Sequence, residues 1–390
     1  MSKTSNLATF TILSLSLATI MAGAAVAPAV GIIGEYFNSS SKFMIQQIIS
    51  IHSFFIIISS FLFSFLAKKF SSKTIAILGL SLYIIGGVGA FFANSIYTIL
   101  TLRALLGIGV GLIQPLGTGL IGLLYTDAEK SKLLGYSTAV SSLSGILLTP
   151  LSSFLADMSW NYAFLVYLIG FIILGFVMLF LPNINLRAKN PPKGAFSSAF
   201  KEIYPYSLGV FLVMLVFYSF PTNFSIVMVS EGMVEPKFIG FLLAYQHLFS
   251  AISGILFAFM LAKFKTKAKY AYAFLFAVGF FAQFKAVNLT HVFIGLTLVG
   301  FSQGALMTTM FTLVSTTTSK TNMAVSMAIM SASLYLGQFL NPFIIKTLGP
   351  LLHFIDLRGA FGVSFILSVF LFFWMFYIDK FTRSKFHENP

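Results

Sequence analysis

Twelve times along this chain of 390 residues a run of about 20 mostly apolar residues appears, the length an α-helix needs to cross the hydrocarbon core of a bilayer. The runs occupy 7–30, 43–67, 74–93, 96–125, 133–156, 162–181, 204–229, 238–262, 270–287, 292–317, 323–345 and 359–378. Only Arg103 and Lys285 are charged within them. With 9% charged and 58% hydrophobic residues, the chain lies outside the soluble globular class, in which about a quarter of residues are charged. The expectation is an all-α integral membrane protein with twelve transmembrane helices. The first run, with Lys3 before it and Ala22-Gly-Ala24 inside it, has elements of a signal peptide, but its apolar stretch is too long for one.

Twelve crossings bring both termini to one side of the membrane. Eighteen of the 24 Lys and Arg residues then fall on that side, so the termini are predicted to be cytoplasmic, in the cell membrane. The net charge of +14 is therefore topological and does not mark a nucleic-acid surface. The complete lack of cysteine excludes disulfides and thiol chemistry. A polar stretch at 184–203, carrying Arg187, Lys189, Pro191, Pro192 and Lys193, is predicted as a cytoplasmic linker between bundles at 1–183 and 204–390.

The two halves repeat. Pro28 and Pro221 are offset by 193 residues, as are Gly107-x-x-x-Gly111 and Gly300-x-x-x-Gly304. Leu66-Ala67-Lys68 returns as Leu261-Ala262-Lys263 at 195, and Gly145-Ile-Leu-Leu-Thr-Pro150 as Gly337-Gln-Phe-Leu-Asn-Pro342 at 192. Each match is weak alone, but four in order at nearly one offset point to a duplicated six-helix unit. Such duplication is the sequence mark of secondary transporters, whose halves rock about a midplane site. The fourth run places Arg103, Gly107, Gly111, Gln114 and Thr118 on one helical stripe. An arginine there is costly unless it faces protein or water, and small residues in line below it admit a neighbouring helix. This stripe is expected to face a polar path.

Taken together, these residues resemble the major facilitator superfamily, and within it the twelve-helix drug:proton antiporters. Ala27-Pro28-Ala29 is similar to the proline-containing end of helix 1, and Arg103-Ala-Leu-Leu-Gly107-Ile-Gly109 to the helix 4 signature. Gly145-x-x-x-Thr149-Pro150-x-x-Ser153 resembles the exporter signature of helix 5, and Trp160-Asn-Tyr-Ala-Phe164 the Trp-Arg-x-x-Phe pattern beyond that helix; Gly337 to Pro342 resembles the matching stretch of helix 11. The loop after the second run, Lys68-Lys69-Phe-Ser71-Ser72-Lys73, departs from the family pattern by lacking its glycines and aspartate. The resemblance implies two pseudo-symmetric six-helix bundles working by alternating access, and an Arg103 that binds an anion or steers protonation of a neighbour. The residues alone leave a second reading open, in which Arg103 bonds carbonyls of adjacent helices.

No Asp or Glu lies deep in any run, which argues against export of lipophilic cations and for neutral or anionic molecules. His52 and His247 sit at corresponding depths in the two halves; with Glu35 and Arg103 they are the candidates for coupling to protons, a histidine otherwise serving as a neutral packing residue. Candidate substrate contacts are Arg103, Gln114, Tyr218, Asn223, Tyr245, Gln246, His247 and Gln303, since pockets combine aromatic walls with a few polar groups. Pro28, Gly107, Gly111, Gly145, Pro150, Pro221, Gly300, Gly304, Gly337 and Pro342 are candidates for hinges and close helix packing, with Pro221 expected to break its helix.

The leading expectation is an exporter of small amphipathic organic molecules, with proton antiport as the candidate drive; the alternative is uptake of a small nutrient or organic anion. An enzyme would need an acidic dyad, a metal-binding run or a serine–histidine pair in the bilayer, and none is written in the chain. No cofactor and no metal are expected. The partners anticipated are a small-molecule substrate and the lipid bilayer, and the chain is expected to be monomeric, with no soluble dimerisation element in view.

Overall fold

Short polar side chains set where the helices begin. Ser41 accepts from the Met44 amide, Ser71 from Thr74, Ser95 from Thr98 and Asn288 from His291, each capping a helix that starts at the next residue. Thr126 and Glu129 form a reciprocal capping box, satisfying two amides that a helix start leaves orphaned. The computed structural model describes residues 6–186, 194–264, 267–319 and 321–387. The linker charges Arg187, Lys189 and Lys193, together with Lys3, Lys265 and Lys320, lie outside the described residues.

The helices are α1 (Asn6–Ala24), α2 (Val30–Tyr36), α3 (Lys42–Lys69), α4 (Ser72–Val88), α5 (Ile96–Leu124), α6 (Asp127–Met158) and α7 (Ile169–Phe180). They continue as α8 (Ala195–Phe217), α9 (Ser219–Ser230), α10 (Pro236–Phe264), α11 (Ala268–Phe284), α12 (Leu289–Thr317), α13 (Met323–Leu351) and α14 (Gly359–His387). Among the described residues, ten spans are long and apolar enough to cross a membrane, and two shorter apolar stretches, Leu143–Met158 and Ala268–Phe284, fall where the sequence places its fifth and ninth crossings.

Prolines explain why two crossings consist of two helices each. A proline ring clashes with the carbonyl four residues back. The residue four before Pro28 is Ala24, the last of α1; four before Pro221 is Phe217, the last of α8. Pro28 then sits in a 3-10 turn, Ala27–Ala29, and Tyr218 is the break between α8 and α9. Pro150 and Pro342 are carried inside α6 and α13.

Packing sorts the chain into two compact units: Met1–Lys189 with Pro221–Ala244, and Asn190–Phe220 with Tyr245–Pro390. These are not the sequence halves, because the segment after the Pro221 break packs with the first unit.

Inside each unit, glycines fix the closest helix crossings, since a Cβ would drive into a facing backbone. In the first, Gly86 on α4 lies against the backbone of Leu102 and Leu106 on α5; in the second, Gly279 on α11 lies against Val299 on α12. Gly107 and Gly111 on α5 press on the carbonyls of His52 and Ile56 on α3, whereas Gly300 and Gly304 on α12 press on those of Gln246 and Ser250 on α10. The repeat seen in the sequence is thus a repeat of backbone contacts. It also corrects one pairing: the structural counterpart of His52 is Gln246, not His247, which lies one position on and only half buried.

Candidate functional site

Arg103 is completely buried. Its Nε donates to the Ile48 carbonyl of α3 at 2.7 Å, its Nη1 to the Tyr167 hydroxyl at 2.6 Å and its Nη2 to the Ala22 carbonyl of α1. Tyr167, on the 3-10 stretch Trp160–Leu168 leading into α7, lies within 3.3 Å of the Met21 and Ala22 carbonyls. The Tyr83 ring of α4 meets its ring edge-on at 5.6 Å. One guanidinium therefore ties α1, α3 and the approach to α7 onto α5, and a planar fork of five donors suits that task. Ala22 lies just before the Pro28 break. At the corresponding place before Pro221, the Leu215 carbonyl accepts from Asn341 Nδ2 of α13 at 2.7 Å, and that amide also bonds Ser219 at 2.9 Å. Both broken helices thus have a carbonyl near the break held by a side chain from elsewhere in the same unit.

The α5 stripe is corrected accordingly. From Arg103 to Gly111 it is a packing seam against α3, not the wall of a polar path. Only its lower part opens, with Gln114 half buried and Thr118 exposed. The seam wins because a charge in the bilayer interior must be bonded by protein, and glycines let the α3 carbonyls come near enough.

The other candidates divide by burial. Asn223 is buried, accepting from Gln46 Nε2 of α3 at 2.6 Å and donating to Thr222 at 2.9 Å. Gln246 is buried with its Nε2 lacking a hydrogen-bond partner, and His52 Nδ1 is in the same state. Tyr218 is buried at the helix break. Tyr245, His247 and Gln303 are half buried on α10 and α12; the Tyr245 hydroxyl is 3.0 Å from that of Thr297, and Gln303 Oε1 accepts from Ser250 at 2.9 Å. Glu35 is exposed at the end of α2. Among the spacing residues, the Gly145 carbonyl accepts from Thr149, and Gly337 abuts the α8 backbone at Phe211 and Leu215.

Sequence reasoning named Thr149 and Ser153 only as part of the helix 5 pattern and did not foresee that they, with Ser225, bind the Pro221–Ala244 segment. Ser225 donates to the Pro28 carbonyl and accepts from the Gly31 amide at 3.0 Å. Thr149 donates to the Gly240 carbonyl at 3.1 Å, and Ser153 donates to the Pro236 carbonyl at 2.6 Å while accepting from the Gly240 amide at 3.0 Å. The available signal was weak: Thr149 and Ser153 stand one helical turn apart, and Ser225 one turn after Pro221.

A second omission is an ion pair. Lys269 and Asp379, both assigned to loops by hydropathy, are carried by α11 and α14, with side chains 1% and 19% exposed. Asp379 also accepts from the Tyr270 hydroxyl. The helices extend past the apolar runs because each charge supplies the other's counter-ion. Among the described residues, no group of three or more His, Asp or Glu could hold a metal.

Compared with known proteins, the chain matches the Major Facilitator Superfamily over residues 12–342 and again over 206–390. It belongs to that superfamily. The second match begins close to the start of the second half. Curated relatives include a protein TsgA homolog of Buchnera aphidicola, 32% identical over 149 residues, and the quinolone resistance protein NorA of Staphylococcus aureus, 28% identical over 145. The matches cover 37% of this chain and 38% and 35% of those two proteins, so the chain spans well under half the length of these relatives. Among solved structures, a bacterial homolog of the human lysosomal transporter Spinster, in an inward-facing, occupied conformation, has a TM-score of 0.77 at 15% identity, with 97% of each chain covered. The nucleoside transporter NupG gives 0.75 at 10% identity, covering 95% of this chain and 99% of its own. The protein is therefore a multi-pass membrane protein of this superfamily, with the twelve-helix major facilitator fold.

Proposed function

We propose that this superfamily member is a secondary transporter that exports small amphipathic molecules, neutral or anionic, by alternating access, with a proton gradient as its drive. The observation that carries the reading is the bonded segment Pro221–Ala244. It follows a proline break in the chain, yet is held to Pro28, Gly31, Gln46, Thr149 and Ser153 by hydrogen bonds that each involve a neutral side chain, with Ser153 and Ser225 making two apiece. Contacts of this kind between membrane helices are each worth about 0.6 kcal/mol, weak enough to open and reform during a transport cycle. Alternating access is read as release of that segment, pivoting at the Pro28 and Pro221 breaks.

Export is favoured over uptake by the helix 5 pattern from Gly145 to Ser153 and by similarity to NorA, a quinolone resistance protein. A neutral or anionic substrate is favoured because no Asp or Glu is among the buried residues described, and the half-buried Asp379 is already paired with Lys269. In this reading Gln114, Tyr245, His247 and Gln303 contact substrate, whereas Arg103, Asn223, Tyr218 and Gln246 hold helices together. The proton site is assigned to His52, whose Nδ1 lacks a partner, with Glu35 at the entrance. The bundles are taken as 1–183 and 204–390 with both termini cytoplasmic, and the working form as a monomer.

The deciding experiment is a substrate screen on purified protein in liposomes, with and without an imposed pH gradient. Export predicts substrate movement opposite to proton flow; movement with the protons would establish uptake instead, and indifference to the gradient would remove proton coupling. Unchanged proton flux after neutralising Glu35, His52 and His247 together would sink the assigned proton residues.

A further inference from the structure

α10 and α12 are each 29 residues long, and Ser250 and Gln303 are their central residues. Helices of that length reach about 43 Å at 1.5 Å per residue, so both side chains stand near the middle of the bilayer. Ser250 Oγ donates to Gln303 Oε1 at 2.9 Å, which takes up the acceptor of that amide and leaves its Nε2 as a donor. Gln303 is half buried, as are Ser250 and, one turn before it on α10, His247. These three lie in the second unit. A partly exposed amide and imidazole at this depth are costly against acyl chains, so this flank of the α10–α12 seam faces water or a polar guest.

The charges of the second unit are engaged elsewhere. Among its described residues, the buried charged side chains are Lys269 and Arg358. Lys269 is paired with Asp379, and Arg358 Nη1 donates to the Gln283 carbonyl in the last turn of α11 at 2.6 Å. The lysines of α10, Lys237 and Lys263, stand near its two ends, and α12 is built without Asp, Glu, Lys or Arg.

From this juxtaposition we infer that the seam takes its substrate as an electrically neutral molecule, with Gln303 Nε2 donating to a carbonyl oxygen. The inference rests on the transport reading above and narrows its class from neutral or anionic to neutral. An ion of either sign would be desolvated here with no counter-charge, at far greater cost than a hydrogen-bonded neutral group.

The test uses the full-length protein in neutral detergent, with equilibrium dialysis at neutral pH against 2-naphthamide, 2-naphthoate and 2-naphthylmethylammonium. The amide should bind more tightly than either ion by at least about a hundredfold. Gln303→Leu, which removes the donor, should weaken the amide about tenfold and leave unsubstituted naphthalene unaffected. Gln303→Lys should reverse the order in favour of the naphthoate. Equal binding of the three probes, tighter binding of either ion, or no binding of the amide up to its solubility overturns the inference. An amide preference unaltered in Gln303→Leu is partition into the micelle and overturns it too; that variant adds no charge, so the test stands even if Gln303→Lys does not fold. Binding is read without a gradient, so liposomes in which substrate moves with protons, or regardless of them, would revise direction or coupling and leave the neutral class standing.

Discussion

Replacing Arg103 by alanine withdraws three donors at once from the carbonyls of Ala22 and Ile48 and the hydroxyl of Tyr167. Charge-assisted bonds of this type contribute about 1.5–3 kcal/mol each in water-soluble proteins. Polar contacts between membrane helices average only about 0.6 kcal/mol, because helices separated in the bilayer also find partners. Arg103 falls between these limits: it is fully buried, yet Ala22 O keeps the Tyr167 hydroxyl 3.3 Å away. The expected loss is about 3 kcal/mol, within the range found when a buried polar network is broken. Arg103→Lys should recover less than half of it, since one ammonium cannot span three acceptors on separate elements. Tyr167→Phe alone should cost about 1 kcal/mol and show non-additivity of similar size with Arg103→Ala. The assay is reversible unfolding in mixed micelles with rising dodecyl sulfate, scored beside transport in liposomes. If Arg103→Ala unfolds within about 0.5 kcal/mol of the parent, the margin of a neutral surface change, while transport is abolished, the guanidinium acts on substrate or protons and its role as a structural tie is wrong.

Asp379→Asn should destabilise by about 3–5 kcal/mol by stranding the buried Lys269 ammonium, whereas replacing both partners with Leu and Met should cost far less; chemical denaturation compares the three proteins. Gly107→Ala and Gly300→Ala, which press on the carbonyls of His52 and Gln246, should each cost about 1–3 kcal/mol, and Gly119→Ala, with nothing within 4 Å of its Cβ, should be neutral; unequal effects at the two matched sites would argue against equivalent crossings. Because the chain has no cysteine, a single Thr222→Cys reports the bonded segment: Ser225→Ala, which removes two of its hydrogen bonds, should raise its maleimide labelling by about eightfold, the shift expected for loss of about 1.2 kcal/mol, and an unaltered rate would refute release of that segment.

Much of this architecture is legible without coordinates, and the reasons are local. Apolar runs of bilayer length, proline positions and capping serines act through the nearest turn of chain. They fix the number of crossings, whereas a proline alone does not say which helix breaks: Pro28 and Pro221 follow the ends of α1 and α8, but Pro150 and Pro342 are carried inside α6 and α13. The repeated offset near 193 likewise forecast matched crossings, because a Gly-x-x-x-Gly pair has one dominant use in a membrane helix. The orientation of the Arg103 stripe was misread because helical periodicity tells which residues share a face but not what that face meets. The pairing of Lys269 with Asp379, each one residue beyond an apolar run, was not legible for a related reason: hydropathy scores each charge alone, and a pair 110 residues apart in sequence can cancel only after folding.

Read alone, the residues establish an all-helical membrane protein whose second half repeats the first, since helix length and glycine spacing are properties of short segments facing an apolar solvent. Helix packing, in turn, reveals that Arg103 ties three elements together, that Gln246 is the counterpart of His52, and that the segment after Pro221 packs with the first unit. Each of those rests on a donor meeting an acceptor far away along the chain, and the pairing of distant partners is fixed by how helices pack, not by the residues taken one at a time.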